Sequence, residues 1–167
     1  RRGFDTPEPI AYVETNRVGL VDYCYYVSAT DYNAPIKTPL NDAEQFDRGI
    51  AASFARFVAR LHQQGVLDVD LNSTNVLYSI QEDSQCHFSL IDINRMRFMP
   101  QGEQLPLAEC MENLTRFTGR YDLFRYVAEQ YVECRKLPVE TVEKLVEVKK
   151  VHDEKWRRRK SMLKIFK

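Results

Sequence analysis

The sequence predicts an α+β fold that is mostly helical and carries two short β-hairpins. Three observations support this. Runs of strand length rich in β-branched and aromatic residues occur in two pairs, each joined by polar residues. Between the pairs lies one long stretch whose apolar residues recur at steps of three and four. Beyond the second pair and a loop, helical patterns run from about residue 107 to about residue 160.

Residues 10–14 and 18–27 read as the first hairpin, turning at Thr15-Asn16-Arg17. Tyr23, Tyr25 and Val27 alternate with Cys24 and Tyr26. That suits a sheet partly covered on both faces rather than a base-stacking platform. Residues 28–40, with Pro35 and Pro39, read as a surface connector. Asn41 or Asp42 is the expected cap of the long helix, whose Phe46, Ile50, Phe54, Phe57, Val58 and Leu61 share one face. Gly65 suits the left-handed residue that ends it. His62 has no paired nucleophile and reads as a packing residue at the helix end. Residues 76–80 and 86–91 form the second predicted hairpin around Gln81-Glu82-Asp83-Ser84, and residues 96–106 read as loop. Helical patterns follow at 107–118, 120–135 and 138–160, with Pro138 suited to a first turn and Glu109 and Glu112 expected in solvent.

A chain of 167 residues suits one compact domain with a sizeable core. With 44% apolar and 29% charged residues it is globular rather than disordered. No apolar run approaches the roughly 20 residues of a spanning helix, and no N-terminal signal pattern is present. Cys24, Cys86, Cys110 and Cys134 are far apart, and with His62, His87 and His152 scattered there is no metal-ligand spacing. Buried or half-buried free thiols in a reducing cytoplasm are expected. The 24 bases and 24 acids cancel, which argues against a nucleic-acid partner. Their distribution is uneven. Residues 155–167 hold Lys155, Arg157, Arg158, Arg159, Lys160, Lys164 and Lys167 without an acid, interleaved with Trp156, Met162, Leu163, Ile165 and Phe166. Such a segment suits either peripheral contact with an anionic membrane surface or a solvated terminal helix.

The chemistry concentrates in Leu67-Asp68-Val69-Asp70-Leu71-Asn72-Ser73-Thr74-Asn75-Val76-Leu77 and in Leu90-Ile91-Asp92-Ile93-Asn94-Arg95. A carboxylate such as Asp70 can take the proton of an attacking hydroxyl. Amide and carboxylate oxygens such as those of Asn75 and Asp92 suit a hard divalent cation that keeps phosphate and water among its ligands. The competing structural reading makes Asp70 and Asn75 ordinary turn and cap residues.

These segments resemble the bacterial lipopolysaccharide core kinases, which phosphorylate Kdo or heptose sugars on a protein-kinase-like fold. Leu61-His62-Gln63-Gln64-Gly65-Val66-Leu67 resembles their helix end, Asp70 to Asn75 their catalytic loop, and Ser89-Leu90-Ile91-Asp92-Ile93-Asn94-Arg95 their metal-binding segment. The likeness continues through Glu109-Cys110-Met111-Glu112-Asn113-Leu114. It implies a kinase-like C-terminal lobe over residues 34–167, with a basic C-terminal tail. Residues 1–33 would then be the remnant of a largely absent nucleotide lobe, with Ser28, Ala29, Thr30 and Asp31 as the hinge facing adenine. It further implies Asp70 as catalytic base, Asn75 and Asp92 as magnesium ligands, and ATP as co-substrate. Arg95 and Arg97 become candidates for contact with an anionic, lipid-linked sugar acceptor. The setting would be the cytoplasm, at the inner face of its membrane.

The sequence also departs from that pattern. Its six glycines are isolated, and the only lysine before Lys136 is Lys37, in the proline-containing connector. No phosphate-covering turn and no phosphate-pairing lysine can be assigned. A chain opening at Arg1 reads as a piece of a longer protein, expected to bind ATP poorly alone. Asp68-Val69 stands where kinases carry His-Arg, so control by loop phosphorylation is not expected. Asn94 replaces a glycine and is expected to tolerate a left-handed backbone. Two alternatives stay open. One is a small-molecule kinase of the aminoglycoside or choline type, and the other a pseudokinase or interaction module.

Overall fold

The computed structural model describes residues 2–165. Its elements run β1 (Pro9–Arg17), β2 (Leu20–Ser28), β3 (Ala34–Pro35), α1 (Lys37–Asn41), α2 (Arg48–Gln63), β4 (Val66–Asp68), β5 (Val76–Ile80), β6 (Cys86–Leu90), β7 (Met96–Phe98), α3 (Leu107–Asn113), α4 (Tyr121–Cys134) and α5 (Thr141–Ile165). This is the mixed α+β class expected. Of the basic tail, Phe166 and Lys167 lie outside the described residues, as do the side chains of Leu163, Lys164 and Ile165.

Helix α2 organises the core because its apolar stripe is continuous. Ile50, Phe54, Phe57, Val58 and Leu61 are all buried, with Ala51 and Ala55 filling the gaps. Phe54 meets Phe117 edge-on at 4.5 Å, and Phe57 lies against Phe88 at 5.1 Å. From α4, Phe124, Val127, Ala128 and Tyr131 complete the same cluster. Each such large side chain, once fully buried, contributes roughly 1.5–3 kcal/mol. The helix starts later than expected. Its cap is Asp47, whose Oδ1 accepts from the Ile50 amide at 2.9 Å, not Asn41 or Asp42. Residues 37–41 have coiled into α1, and the Asp42 carboxylate instead closes a turn on the Glu44 amide. Phe46 therefore precedes the helix and packs on Tyr126. Gly65 ends α2 as expected, at φ +67°. A Cβ there would come within 2.9 Å of the Met99 Cβ, so glycine is required twice over.

Three small antiparallel sheets surround this core: β1-β2, β3-β5-β6 and β4-β7. Both predicted hairpins form. The first turns at Val18-Gly19, both with positive φ, rather than at residues 15–17. A two-residue turn of that hand matches the twist of the strands, which run on to Arg17 and restart at Leu20. Every residue of β1 and β2 is exposed, so the expected partial cover on both faces is absent among the described residues. Cys24 is exposed with it, unlike the other three thiols. The predicted loop at 96–106 begins as β7, which pairs Val66 with Phe98 and Asp68 with Met96. Part of the predicted connector is β3, joined to β5. These short pairings join residues far apart in the chain, and no local pattern announces them. Pro138 lies three residues ahead of α5, where its carbonyl accepts from Thr141.

A chain of polar side chains crosses the core. Arg135 donates to the Tyr131 hydroxyl at 2.7 Å, and that hydroxyl meets His62 Nδ1 at 2.8 Å. His62 Nε2 lies 3.0 Å from Asn113 Oδ1, and Asn113 Nδ2 donates to the Asp68 carbonyl at 2.7 Å. Only one direction satisfies every group, with Nε2 protonated and Nδ1 accepting. His62 is thus the packing residue expected, and it is neutral. Burial pushes its pKa down to about 4. The folded state resists a proton that the unfolded chain takes up below pH 6.5, so this group costs stability as pH falls toward 4. Replacing it with an apolar ring should strand two polar partners and destabilise the protein by about 2–3 kcal/mol at pH 7. Urea melts should show His62→Phe less stable than the parent at pH 7, with the gap closing by up to about 3 kcal/mol at pH 4.

Candidate active site

The acidic loop leaves the core between β4 and β5, and its own side chains shape it. Asn72 Oδ1 accepts from the Thr74 and Asn75 amides at 2.8 and 3.2 Å, while its Nδ2 donates to the Asp70 carbonyl at 2.8 Å. Asn75 Nδ2 donates to that same carbonyl at 3.1 Å, which commits the amide nitrogen and leaves Oδ1 as its acceptor end. Ser73 is buried and takes a hydrogen bond from Asn41 at 3.1 Å. These are turn bonds of the kind Asn and Ser favour, so the structural reading of the loop holds alongside any chemical one.

Asp92 follows β6 directly. The Ile91 amide donates to the Asn75 carbonyl at 3.0 Å, and Val76 pairs with Leu90, so the Asp92 segment lies beside the end of the acidic loop. Its backbone is left-handed, with φ 57° and ψ 48°. Asn94 was expected only to tolerate such a backbone. That residue instead occupies a 3-10 turn at Ile93–Arg95 and donates its amide to Asp92 Oδ1 at 3.0 Å. Asp tolerates this conformation better than most residues, and the turn aims the carboxylate outward. Register between β4 and β7 then brings residues 92–95 back over Asp70.

Asp70 is only partly exposed, and two guanidinium groups attend it. Arg95 grips both carboxylate oxygens, with Nε at 2.5 Å from Oδ2. Arg116 lies 3.6 Å from Oδ1 and donates to the Val69 carbonyl at 2.8 Å. Arg116 thus sets a guanidinium beside Val69 and Asp70, a contact the sequence did not reveal. Asn113, three residues earlier, lies in the quoted likeness but carried no stated role. Arg97 sits on β7 and pairs with Glu109 at 2.8 Å, so Glu109 is not free in solvent as expected. Ser28, Ala29, Thr30 and Asp31 follow β2. The Ala29 amide is taken by the Glu8 carbonyl at 2.8 Å, and the Asp31 carboxylate accepts from Ser89 on β6. That bond lowers the pKa of Asp31.

Asp68 is a buried carboxyl beside this cluster. One oxygen accepts from the Asp70 amide at 3.0 Å, and the other has no partner. Burial, then the neighbouring Asp70 and Asp92, raise its pKa from 3.8 to about 6. Among the described residues no three His, Cys, Asp or Glu side chains are grouped so that they could hold a metal ion. A divalent cation here would rely on the Asp92 carboxylate and Asn75 Oδ1, with phosphate and water completing its shell. Because the native state holds the Asp68 proton more tightly, stability is lost as pH rises from about 4 through 6. Asp68→Asn should therefore gain up to about 3 kcal/mol at pH 7.5 and nothing at pH 4, read from denaturant midpoints at both values.

No curated protein matches the chain. Residues 25–106 match the model of the lipopolysaccharide kinase (Kdo/WaaP) family, a stretch running from β2 to the start of α3. That matched stretch, similar to the family, includes Asp70, Asn75 and Asp92.

Proposed function

We propose that this chain carries the phosphoryl-transfer half of an ATP-dependent kinase acting on a sugar hydroxyl of lipopolysaccharide core, Kdo or heptose. One observation carries the reading. It is supported by a hydrogen bond within the loop that carries Asp70 and Asn75 and by the β5–β6 register that sets the Asp92 segment beside that loop, inside the stretch that matches a kinase family.

Asp70 takes the proton of the acceptor hydroxyl as its oxygen bonds to the γ-phosphorus and the bridging oxygen leaves with ADP. Before that, the hydroxyl displaces Arg95 from at least one carboxylate oxygen. That exchange is cheap, because the Arg95 side chain is 60% exposed and its ion pair is weak in water. Arg116 stays on Asp70 and steadies its charge. Asn75 and Asp92 would hold magnesium, which screens the phosphate oxygens when bound. Residues 34–167 form the catalytic lobe, and the bare β1–β2 hairpin within residues 1–33 belongs to the nucleotide side, with Ser28 to Asp31 along adenine. The acceptor is lipid-linked, met where the basic segment of residues 155–167 can lie on an anionic membrane face. No helix among the described residues is long and apolar enough to cross that membrane.

A scaffold without turnover is favoured by one observation: both oxygens of Asp70 are already occupied by arginine. Turnover separates the two readings. In the protein as its gene encodes it, Asp70→Asn should cut phosphoryl transfer roughly 10²–10⁴-fold while ATP still raises the melting temperature in magnesium. Unchanged transfer would overturn the assignment.

A further inference from the structure

A second concave feature lies outside the family-matched stretch. It is a cavity of about 560 Å³ between the 3-10 turn Leu114–Arg116 and the outer face of α5, in the size range of small-ligand sites. Arg116, Thr118, Lys149, His152, Trp156 and Arg159 line it. Three properties mark it as more than a surface dent. Its wall is fixed by a buried cation, because Lys149 is 2% exposed and donates to the Thr115 carbonyl and to Asp153, each at 2.8 Å. Its charge is positive, because Asp153 is the one acid lining it and Lys149 already neutralises that carboxylate. It also communicates with Asp70, because Arg116 is shared between the cavity lining and the 3.6 Å contact to that carboxylate.

The side chains define the occupant. Two guanidinium groups, from Arg116 and Arg159, suit bidentate binding of a carboxylate or phosphate. His152 Nδ1 is held by Glu112 at 3.1 Å, which orients the ring against the cavity. Trp156 adds an apolar platform on which the C–H face of a sugar ring can rest, with Lys160 at 4.7 Å over the indole. An anion binder needs no such platform, and an apolar ligand would not need the arginines. The combination fits a sugar that bears an acidic group.

We infer that this cavity is the acceptor site, binding the acidic saccharide next to the hydroxyl that Asp70 deprotonates. The inference rests on the kinase reading above. The hinge segment approaches through Asp31 on β6, whereas the cavity approaches through Arg116 on Asp70, so nucleotide and acceptor enter along different elements. Arg95, released from Asp70 by the incoming hydroxyl, is then beside the same anion. Arg116 therefore has two duties, steadying Asp70 and holding substrate, while Arg159 has the second alone.

Trp156 is the only tryptophan, so its emission reports on this cavity directly. Titrating the chain with Kdo should change that emission saturably, while neutral glucose and plain sulfate at equal concentration should not. Arg159→Glu, a surface change that leaves the core intact, should weaken Kdo binding roughly tenfold. In the enzyme as its gene encodes it, the same variant should raise the acceptor KM roughly tenfold with kcat little altered. A flat titration, an equal response to glucose or to sulfate, or an Arg159→Glu enzyme with unchanged KM would overturn the proposal. Asp70→Asn distinguishes this failure from that of the function itself. A dead Asp70→Asn enzyme with a flat titration removes the cavity alone, and a Kdo response in a chain whose Asp70→Asn enzyme still turns over removes Asp70 as the base and leaves the cavity.

Discussion

The polar chain from Arg135 through Tyr131, His62 and Asn113 to the Asp68 carbonyl is the constraint on which the site depends. It ties α4, α2 and α3 to the last residue of β4, two positions before Asp70. In a low-dielectric interior each of these bonds is strong, and any unpaired member is expensive, so the chain is all-or-none. Hydrophobic packing of α2 against α4 holds the helices together but does not by itself choose a register for the acidic loop. The histidine's two nitrogens make that choice, because they must meet Tyr131 and Asn113 at once.

The opposite edge of the site is set by strand pairing. β4 and β7 are three residues each, yet joining Asp68 to Met96 closes a loop of chain that contains the acidic loop, the β5–β6 hairpin and Asp92. Such a short pair would be marginal alone. It persists because Gly65 lets the chain leave α2 at the required angle and the Gly65 carbonyl accepts from Met99 at 2.8 Å. The buried relay fixes one end of the loop and this pair fixes the other, leaving Asp70 and Asp92 little freedom to separate.

Electrostatics within that frame are unbalanced on purpose-built ground. Asp68, Asp70 and Asp92 gather negative charge in a small volume, and the chain answers with Arg95 and Arg116 rather than with the residue at position 69. Arg116 is anchored on the Val69 carbonyl, whereas Arg95 is held by the exposed pair alone. One guanidinium is therefore structural for the site and the other exchangeable. Asp68, with an oxygen left unpartnered, keeps a raised pKa because burial and the neighbouring Asp70 and Asp92 outweigh the guanidinium of Arg116.

Much of this protein was legible in its residues. The spacing of Phe54, Phe57, Val58 and Leu61 specified α2, and the Gln81-Glu82-Asp83-Ser84 turn specified the β5–β6 hairpin, because both are local periodic signals. Asp70, Asn75 and Asp92 were singled out as candidates for the same reason: their types and order carry the pattern. What only the tertiary structure decided was non-local. The β4–β7 pairing, the guanidinium of Arg116 on Asp70, the engagement of Arg97 with Glu109 and the left-handed backbone at Asp92 all depend on segments distant in sequence meeting in space. So does the nakedness of β1 and β2, since alternation along a strand shows two faces but not whether anything lies against them. Local sequence encodes torsional preference and amphipathic period, while the partner of a charge is chosen by the packing of the whole chain.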